Sequence, residues 1–210
     1  MKLYYSPGSC GLASQIALRE AGQQFDLVAV DFKTKTTVEG DYLKVTPKGF
    51  VPALKLDDGD VITESAVVLQ WIADKHPDAH LLPSFGSRER YEALEWLNFI
   101  ATDLHKNFAV MFSSVFDVAS KMTFAEKNLV GKFEHVDRHL SARDYLLGPQ
   151  FSVADAYLYN VLSWPSRVGL DITGYHSIQK FMSRMEARPS VGASLKAEGL
   201  SCRQAGCRRS

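Results

Sequence analysis

The pattern of secondary-structure signals changes once along the chain, and this change constrains the fold more than any other feature of the sequence. Residues 1–78 give signals in the order strand, helix, strand, short helix, two strands and helix. Residues 77–87, PDAHLLPSFGS, contain two prolines and one glycine and are typical of a linker. Only helical patterns follow, at residues 88–116, 124–142, 152–164, 176–188 and 191–198. The sequence therefore predicts an α/β domain at residues 1–78, an all-α domain at residues 88–200 and a flexible tail at residues 201–210.

Length and charge limit the possible partners. At 210 residues the chain can form one large or two small domains. Its 24 Lys and Arg residues balance 24 Asp and Glu residues, so no net charge attracts nucleic acid or an anionic membrane. No segment approaches the ~20 apolar residues of a membrane helix, and the first ten residues lack the apolar core of a signal peptide. We expect a cytoplasmic protein without structural disulfides that binds neither nucleic acid nor membrane.

A single cysteine lies between the first predicted strand and the first predicted helix. Residues 2–5, KLYY, favour a strand, residues 6–9, SPGS, favour a turn, and apolar residues from Leu12 onward follow a helical period. Cys10 is therefore expected at a helix N-terminus, where free N–H groups and the helix dipole favour a thiolate. Ala13 replaces the second cysteine of a C-x-x-C motif. The prediction is a single reactive thiol, with a buried, inert cysteine as the alternative.

Other hydroxyls and thiols could share the chemistry of Cys10 or compete with it. Tyr5 and Ser9 lie on the same segment, and either could donate a hydrogen bond to a bound thiolate. Cys202 and Cys207 lie in the predicted tail, where exposed thiols are the simplest interpretation.

The segment GFVPALKL predicts a second functional position. Val51-Pro52 opens a strand, and a cis bond in a tight turn would explain the proline. Such a turn leaves backbone groups free to pair with an extended peptide, whereas the alternative is an ordinary trans bond. Asp58-Gly59 then predicts a β-hairpin.

Glu64-Ser65 lies where a strand meets a helix N-terminus. The Ser65 hydroxyl, the free N–H groups and the helix dipole could hold a carboxylate, while Glu64 could pair with an ammonium group. The two residues would then form a receptor for a free α-amino acid end, and simple helix capping is the alternative.

The helical half contributes one polar stripe. Asn98, Thr102 and His105 stand at i, i+4 and i+7 beside an apolar face, and Lys106 follows. A solvated helix face with a surface histidine is the alternative. Further along, Ser152 and Asp155 form a capping-box pattern, for which we expect a structural role. Four apolar residues could form walls of an acceptor pocket or simply belong to the core: Phe108, Met111, Phe112 and Trp164.

Together these motifs resemble the glutathione S-transferases over residues 1–200. The resemblance rests on Cys10 at the first helix, on TPKG at residues 46–49, on Val51-Pro52 and Glu64-Ser65, and on the helical segments EWLNFIATDLHK and FSVADAYLY. Cysteine in place of a catalytic tyrosine or serine is similar to the bacterial beta class. Many members of that class carry serine directly after the cysteine, whereas this chain carries Gly11.

The resemblance implies a thioredoxin-like N-terminal domain, a helical C-terminal domain, a homodimer and glutathione as co-substrate, with no metal. It implies that Glu64 and Ser65 hold the γ-glutamyl end and that Val51 pairs with the cysteinyl backbone. Lys35 would lie near the glycyl carboxylate, although a solvated loop charge is the alternative. Positions matching Asn98, Thr102, His105 and Lys106 face the glutathione sulfur or the partner subunit's site, and Cys10 and His105 would be catalytic.

The resemblance implies a transferase that conjugates the glutathione thiol to small electrophilic, mostly apolar acceptors. The same residues could support glutathione-dependent thiol–disulfide or peroxidase chemistry through Cys10. A dehalogenase or isomerase on the same scaffold is a narrower rival. A non-catalytic binding or regulatory protein is the alternative from another class, because one fold hosts many functions.

Overall fold

The computed structural model describes residues 1–200 and begins with a four-stranded sheet. Its strands are β1 (Lys2–Tyr5), β2 (Asp26–Ala29), β5 (Ala53–Lys55) and β6 (Val61–Thr63), in the order β2-β1-β5-β6. Strand β1 pairs parallel with β2 and antiparallel with β5, and β5 pairs antiparallel with β6. Asp58-Gly59 turns the β5–β6 hairpin as predicted, with Gly59 at φ +97°, a conformation that favours glycine. The predicted tail, with Cys202 and Cys207, lies outside the described residues.

Helices account for most of the remaining structure. The first half contains α1 (Gly11–Glu20) and α2 (Ser65–Lys75). The second half contains α3 (Arg88–Phe99), a π-helical segment (Ile100–His105), α4 (Lys106–Phe112), α5 (Val118–Asn128), α6 (Val130–Leu140), α7 (Val153–Leu162), α8 (His176–Glu186) and α9 (Pro189–Ala197). The predicted fold class, an α/β half followed by an all-helical half, is confirmed. The exact domain boundaries stay a prediction.

Three local features of the structure refine the predicted pattern. The helical pattern at residues 124–142 belongs to two helices: α5 ends at Asn128 and α6 begins at Val130, with Leu129 between them. The polar segment after β2 contains a small hairpin of β3 (Thr36–Thr37) and β4 (Gly40–Asp41), whose two-residue strands give no periodic signal. The predicted short helix near residues 41–45 is a 3₁₀ turn at Tyr42–Lys44.

One apolar core joins the two halves. Helix α1 packs against β1 and α2 of its own half and against α7 and α9 of the helical half. Leu12, Ile16 and Leu18 of α1 are fully or almost fully buried in the same cluster as Phe108 and Leu158. Burying each such aliphatic side chain contributes about 1.5–3 kcal/mol, so the two halves stabilise one another.

Two ion pairs also connect the α/β half to the helical half. The Arg188 guanidinium, just before α9, binds both carboxylate oxygens of Glu20 at 2.8 and 2.7 Å. Arg90 of α3 is buried and pairs with Asp74 of α2 at 2.9 Å. Bidentate arginine–carboxylate pairs are geometrically specific, so they fix the orientation of the halves as well as their contact.

The capping box of α7 is confirmed. Asp155 is fully buried and accepts hydrogen bonds from the Ser152 N–H at 2.8 Å and from the Ser152 hydroxyl at 2.7 Å. Its other oxygen accepts from the Leu146 N–H at 2.8 Å, so the carboxylate also fixes the preceding loop. Burial raises the pKa of Asp155 to about 6.

We expect Asp155→Ala to lower the free energy of unfolding by about 3 kcal/mol, because it leaves the Leu146 and Ser152 N–H groups buried without an acceptor. Ser152→Ala, which leaves the carboxylate in place, should cost about 1 kcal/mol. Urea unfolding followed by circular dichroism measures both values. Ser166→Ala, at an exposed position of the same half, is the matched control. Equal costs for the two α7 variants would contradict the role of Asp155 in the loop.

Candidate functional site

One large cavity lies between the two halves. The loop before α1, the β5–β6 hairpin, the N-terminus of α2 and the helical half meet there. The cavity volume is about 660 Å³. The α/β half lines it with Ser6, Pro7, Gly8, Ser9, Cys10, Phe32, Lys48, Phe50, Val51, Pro52, Thr63, Glu64, Ser65 and Ala66. The helical half lines it with Ala101, His105, Lys106, Phe108, Ala109, Phe112, Tyr157, Trp164 and Arg167. A cavity of this size and mixed polarity is the default candidate for a binding site.

Cys10 caps the N-terminus of α1, as predicted, but its environment is not that of an exposed reactive thiol. The residue is only 7% exposed, and its thiol donates to the Val51 carbonyl at 3.0 Å. Burial raises the pKa of the Cys10 thiol to about 11, although the neighbouring Ser65 hydroxyl opposes this shift. In the free protein, burial therefore opposes the thiolate that the helix N-terminus favours, and the reactivity of Cys10 stays a prediction.

Ser9 and Tyr5, the two hydroxyl side chains predicted near Cys10, lie in different environments. Ser9 lines the cavity, and its oxygen accepts from the Gly11 N–H at 3.3 Å. Tyr5 is buried and is not among the lining residues of the cavity. A side chain at position 11 would place its Cβ 3.0 Å from the Tyr5 Cβ, so Gly11 is packed against β1.

Val51 presents backbone groups to the cavity. The Val51-Pro52 bond is cis, as the sequence analysis expected, and both residues line the cavity. The Val51 carbonyl faces the Cys10 thiol, which connects the turn before β5 to the N-terminus of α1.

Glu64 and Ser65 meet at the N-terminus of α2. Glu64 has φ +71°, a backbone conformation that residues other than glycine rarely adopt. Such backbone outliers are common at functional sites. The Glu64 carboxylate is 65% exposed and forms an ion pair with Lys48 at 2.6 Å. Ser65 is buried at the first position of the helix, where N–H groups have no partner within the helix. Anionic and cationic groups of a ligand could thus bind side by side.

Lys35 lies near the cavity without lining it. The residue has φ +56°, and its ammonium donates to the Gly49 carbonyl at 3.0 Å. The same ammonium lies 4.9 Å from the centre of the Phe32 ring and 5.6 Å from that of Phe50. These contacts hold the side chain in place, unlike those of a solvated loop charge, and its predicted role toward a carboxylate stays a prediction.

The π-helical segment separates the predicted polar stripe into two groups. His105 and Lys106 line the cavity, whereas Asn98 and Thr102 are exposed and do not. The Thr102 hydroxyl is instead engaged with the Asn98 carbonyl at 3.0 Å and with Asp103. A π-helix bonds i to i+5, so residues that share a face in an α-helix diverge across it. The role of Asn98 and Thr102 toward glutathione or a partner subunit stays a prediction.

His105 is held inside the cavity by Tyr157. Its Nδ1 lies 2.6 Å from the Tyr157 hydroxyl, and its ring packs against Trp164 at 4.8 Å. Burial lowers the pKa of His105 to about 4, and the charge of Lys106 acts in the same direction. His105 is therefore a neutral hydrogen-bonding group at neutral pH, and its catalytic role stays a prediction. The residue is half-buried, unlike the exposed histidine of the alternative interpretation.

The helical half supplies an aromatic wall. Trp164 packs against Phe108 at 5.5 Å and against Phe112 at 5.7 Å, measured between ring centres. All three line the cavity as predicted, while Met111 is buried in the core and does not. Apolar walls of this kind suit an apolar acceptor.

The Cys10 loop is tied to the helical half through Gly8. The Gly8 carbonyl accepts from the Trp164 indole at 3.0 Å and from the Arg167 guanidinium. The Gly8 N–H donates to Glu198 at 2.6 Å, and Gln15 donates to the same carboxylate. Burial raises the pKa of Glu198 to about 7.

Sequence reasoning missed five polar residues that line the cavity: Ser6, Lys48, Thr63, Tyr157 and Arg167. Lys48 lies in the TPKG motif, so its position three residues before Val51 was a usable signal. Tyr157 and Arg167 carry no local signal, because only tertiary packing brings α7 and the segment after it to the Cys10 loop.

Residues 1–200 include no group of three or more His, Cys, Asp or Glu side chains placed to hold a metal ion. Within the same residues, no helix combines the length and apolar character needed to cross a bilayer.

Known proteins share both the sequence and this geometry. The family model "Glutathione S-transferase, N-terminal domain" matches residues 9–75, and "Glutathione S-transferase, C-terminal domain" matches residues 113–189. The glutathione S-transferase GstA of Escherichia coli O157:H7 is 46% identical over 95% of this chain and 100% of its own length.

Two solved structures show that the similarity includes the three-dimensional fold of the backbone. The beta-class glutathione S-transferase of Sphingomonas chungbukensis has a TM-score of 0.91 and 42% identity, covering 96% of this chain and all of the other. A sphingomonad glutathione S-transferase complexed with glutathione also gives a TM-score of 0.91, with 43% identity and the same coverage. Cavity, fold and sequence agree, and the chain belongs to the glutathione S-transferase family.

Proposed function

We propose that this protein conjugates the thiol of glutathione to small electrophilic, mostly apolar acceptors. The observation that carries the proposal is that one cavity holds a polar half and an aromatic half. The polar half contains Glu64, Ser65 and the Val51 backbone. Glu64 and Ser65 fit the ammonium and the carboxylate of a γ-glutamyl group, and the Val51 backbone fits the peptide backbone that follows that group. The aromatic half, around Phe112 and Trp164, fits an apolar acceptor.

Glutathione and the cavity have matching charges. Its γ-glutamyl end carries one ammonium and one carboxylate, which would bind at Glu64 and at the N-terminus of α2 respectively. In the free protein Lys48 occupies the position beside Glu64, so the ligand's ammonium would exchange with the Lys48 ammonium. Lys35, fixed between two aromatic rings, is the candidate for the glycyl carboxylate. The glutathione complex of the sphingomonad relative supports the same ligand.

Thiol exchange through Cys10 is a second activity that the geometry allows. The Cys10 thiolate would attack one sulfur of a glutathione disulfide, forming a mixed disulfide and releasing the other glutathione as its thiolate. A pKa near 11 leaves little thiolate at neutral pH, so conjugation is the main activity that we propose. The non-catalytic alternative is not favoured, because the family's relatives are named as transferases.

A cytoplasmic homodimer completes the proposal. A reduced, free Cys10 and a thiol co-substrate suit a reducing compartment. Phe50, Phe85 and Tyr91 expose 71%, 92% and 64% of their surface, and a second copy of the chain could cover aromatic side chains such as these.

We expect Glu64→Gln to raise the KM for glutathione about tenfold or more and to change kcat much less, because a hydrogen bond between charged groups contributes about 1.5–3 kcal/mol to binding. Steady-state conjugation of an aryl halide measures both constants. A glutathione analogue without the α-amino group provides the internal control, since Glu64→Gln should not weaken its binding further. An equal loss for both ligands would contradict pairing with the ammonium. Glu89→Gln, at an exposed position of α3, is the matched control variant.

We expect oxidised glutathione to add one glutathione to the protein, and Cys10→Ala to abolish this adduct. Both proteins should carry Cys202→Ser and Cys207→Ser, so that Cys10 is the single thiol. Below a pKa of about 11, the thiolate fraction and hence the initial rate should rise about tenfold per pH unit. Intact-protein mass spectrometry at several pH values measures the rate. A rate independent of pH between about 7 and 9 would contradict a protonated Cys10.

We expect the protein to sediment with twice the mass of one chain, since aromatic side chains exposed on both halves would be covered by a second copy. Sedimentation velocity over a range of concentrations measures the mass. A single monomeric species at all concentrations would contradict the homodimer.

A further inference from the structure

Tyr157 presents a buried hydroxyl to the cavity from the helical half. The residue lies on α7 and is only 2% exposed, yet it lines the cavity beside Cys10 and Ser65. Its hydroxyl is 2.6 Å from His105 Nδ1, which is a short hydrogen bond. The ring of His105 is in turn held by Trp164 at 4.8 Å, so the pair has little freedom to rotate.

The hydrogen atoms of this pair leave one donor unused. Neutral His105 has one N–H, Tyr157 has one O–H, and the single hydrogen bond between them uses only one of the two. When His105 Nδ1 donates, the Tyr157 O–H is free to donate into the cavity. The Tyr157 hydroxyl also interacts with the Ser65 side chain, which is itself a neighbour of the Cys10 thiol. Tyr157, Ser65 and Cys10 line the same cavity, so a sulfur bound beside Cys10 would lie near this hydroxyl.

The charges around the pair favour a donor that keeps its proton. Cys10 and Glu64 both face Tyr157, and burial raises the pKa of the phenol further above its ordinary value. His105 faces Lys106 and Glu64, and it is neutral at physiological pH because its pKa is about 4. Since Lys106 is exposed, solvent weakens its field inside the cavity. A fixed, uncharged donor in a buried site is the kind of group that stabilises a developing anion.

We propose that Tyr157 is a further catalytic residue, whose hydroxyl donates a hydrogen bond to the thiolate of glutathione bound beside Cys10. His105 is then a positioning residue, which holds the Tyr157 oxygen through Nδ1 and acts through it. The proposal rests on the proposed function, because it requires glutathione to bind with its sulfur in this cavity. No bond to carbon or sulfur is made by the pair, and the phenol proton stays on Tyr157.

Tyr157→Phe tests the proposal, because it removes the donor and keeps the ring. We expect the apparent pKa of bound glutathione, followed by the ultraviolet absorbance of its thiolate, to rise by about one pH unit, the equivalent of one lost hydrogen bond to a charged group. At neutral pH kcat/KM should fall about tenfold. The dissociation constant for glutathione should stay within about threefold, since the peptide ends bind elsewhere.

Two further variants separate the proposal from a structural effect. Tyr175→Phe removes a hydroxyl from a half-buried tyrosine of the helical half outside the cavity, and it should leave the thiol pKa unchanged. His105→Gln in the Tyr157→Phe background should add little, because the two residues act as one unit. Thermal unfolding of each variant shows that the fold is intact.

The outcomes distinguish this proposal from the function on which it rests. An unchanged thiol pKa in Tyr157→Phe, with glutathione still bound, overturns the role of Tyr157 and leaves the transferase intact. A rise in thiol pKa in Lys106→Gln but not in Tyr157→Phe also overturns it, in favour of a cation. Failure of the wild-type protein to bind glutathione overturns the proposed function itself.

Discussion

The site depends on how the loop that carries Cys10 is held between the two halves. Gly8 is bound through both of its backbone groups: its carbonyl accepts from Trp164 and Arg167, and its N–H donates to Glu198. All three partners come from the helical half, more than 150 residues away along the chain. Since Glu198 is almost fully buried, breaking the Gly8 contact would leave its carboxylate with the Gln15 amide as its remaining hydrogen-bond donor. The position of the Cys10 loop therefore depends on contacts from the helical half, which the shared core and the Arg188–Glu20 pair hold against the α/β half.

The cavity combines an uncharged interior with a charged rim. The Cys10 thiol, His105 and Tyr157 are all neutral at physiological pH, because burial moves each pKa toward the uncharged form. Full charges stay near water, where the Lys48–Glu64 pair is about half exposed or more on both sides. An exposed ion pair contributes little free energy, so Lys48 and Glu64 can exchange partners when a charged ligand arrives. The arrangement favours a ligand with charged ends and a neutral, polarisable middle.

Sequence patterns correctly predicted the structural features that depend on residues adjacent along the chain. Strand β1, the N-terminal position of Cys10, the Asp58-Gly59 hairpin and the α7 capping box all follow from local chemistry, and the structure contains each of them. The predictions that differ from the structure concern features that depend on tertiary packing. The thiol of Cys10 was expected to ionise from its helix position, whereas burial by Val51 and its surroundings raises its pKa. The stripe from Asn98 to His105 assumed an α-helical period, and the π-helical segment changes which side chains share a face.

The same burial that keeps Cys10 protonated bears on which sulfur reacts. Both the Cys10 thiol and a glutathione thiol in the cavity lose solvation, so both resist ionisation. Cys10 has its proton engaged with the Val51 carbonyl, a contact that stabilises the neutral thiol. A glutathione sulfur beside it would meet donors instead, at Ser65 and at the Tyr157–His105 pair. Hydrogen bonds to an anion lower its pKa, whereas a bond donated by a thiol does not. If the proposed function holds, the glutathione thiolate would therefore be the nucleophile in conjugation, and Cys10 would act in exchange when a disulfide enters the same cavity.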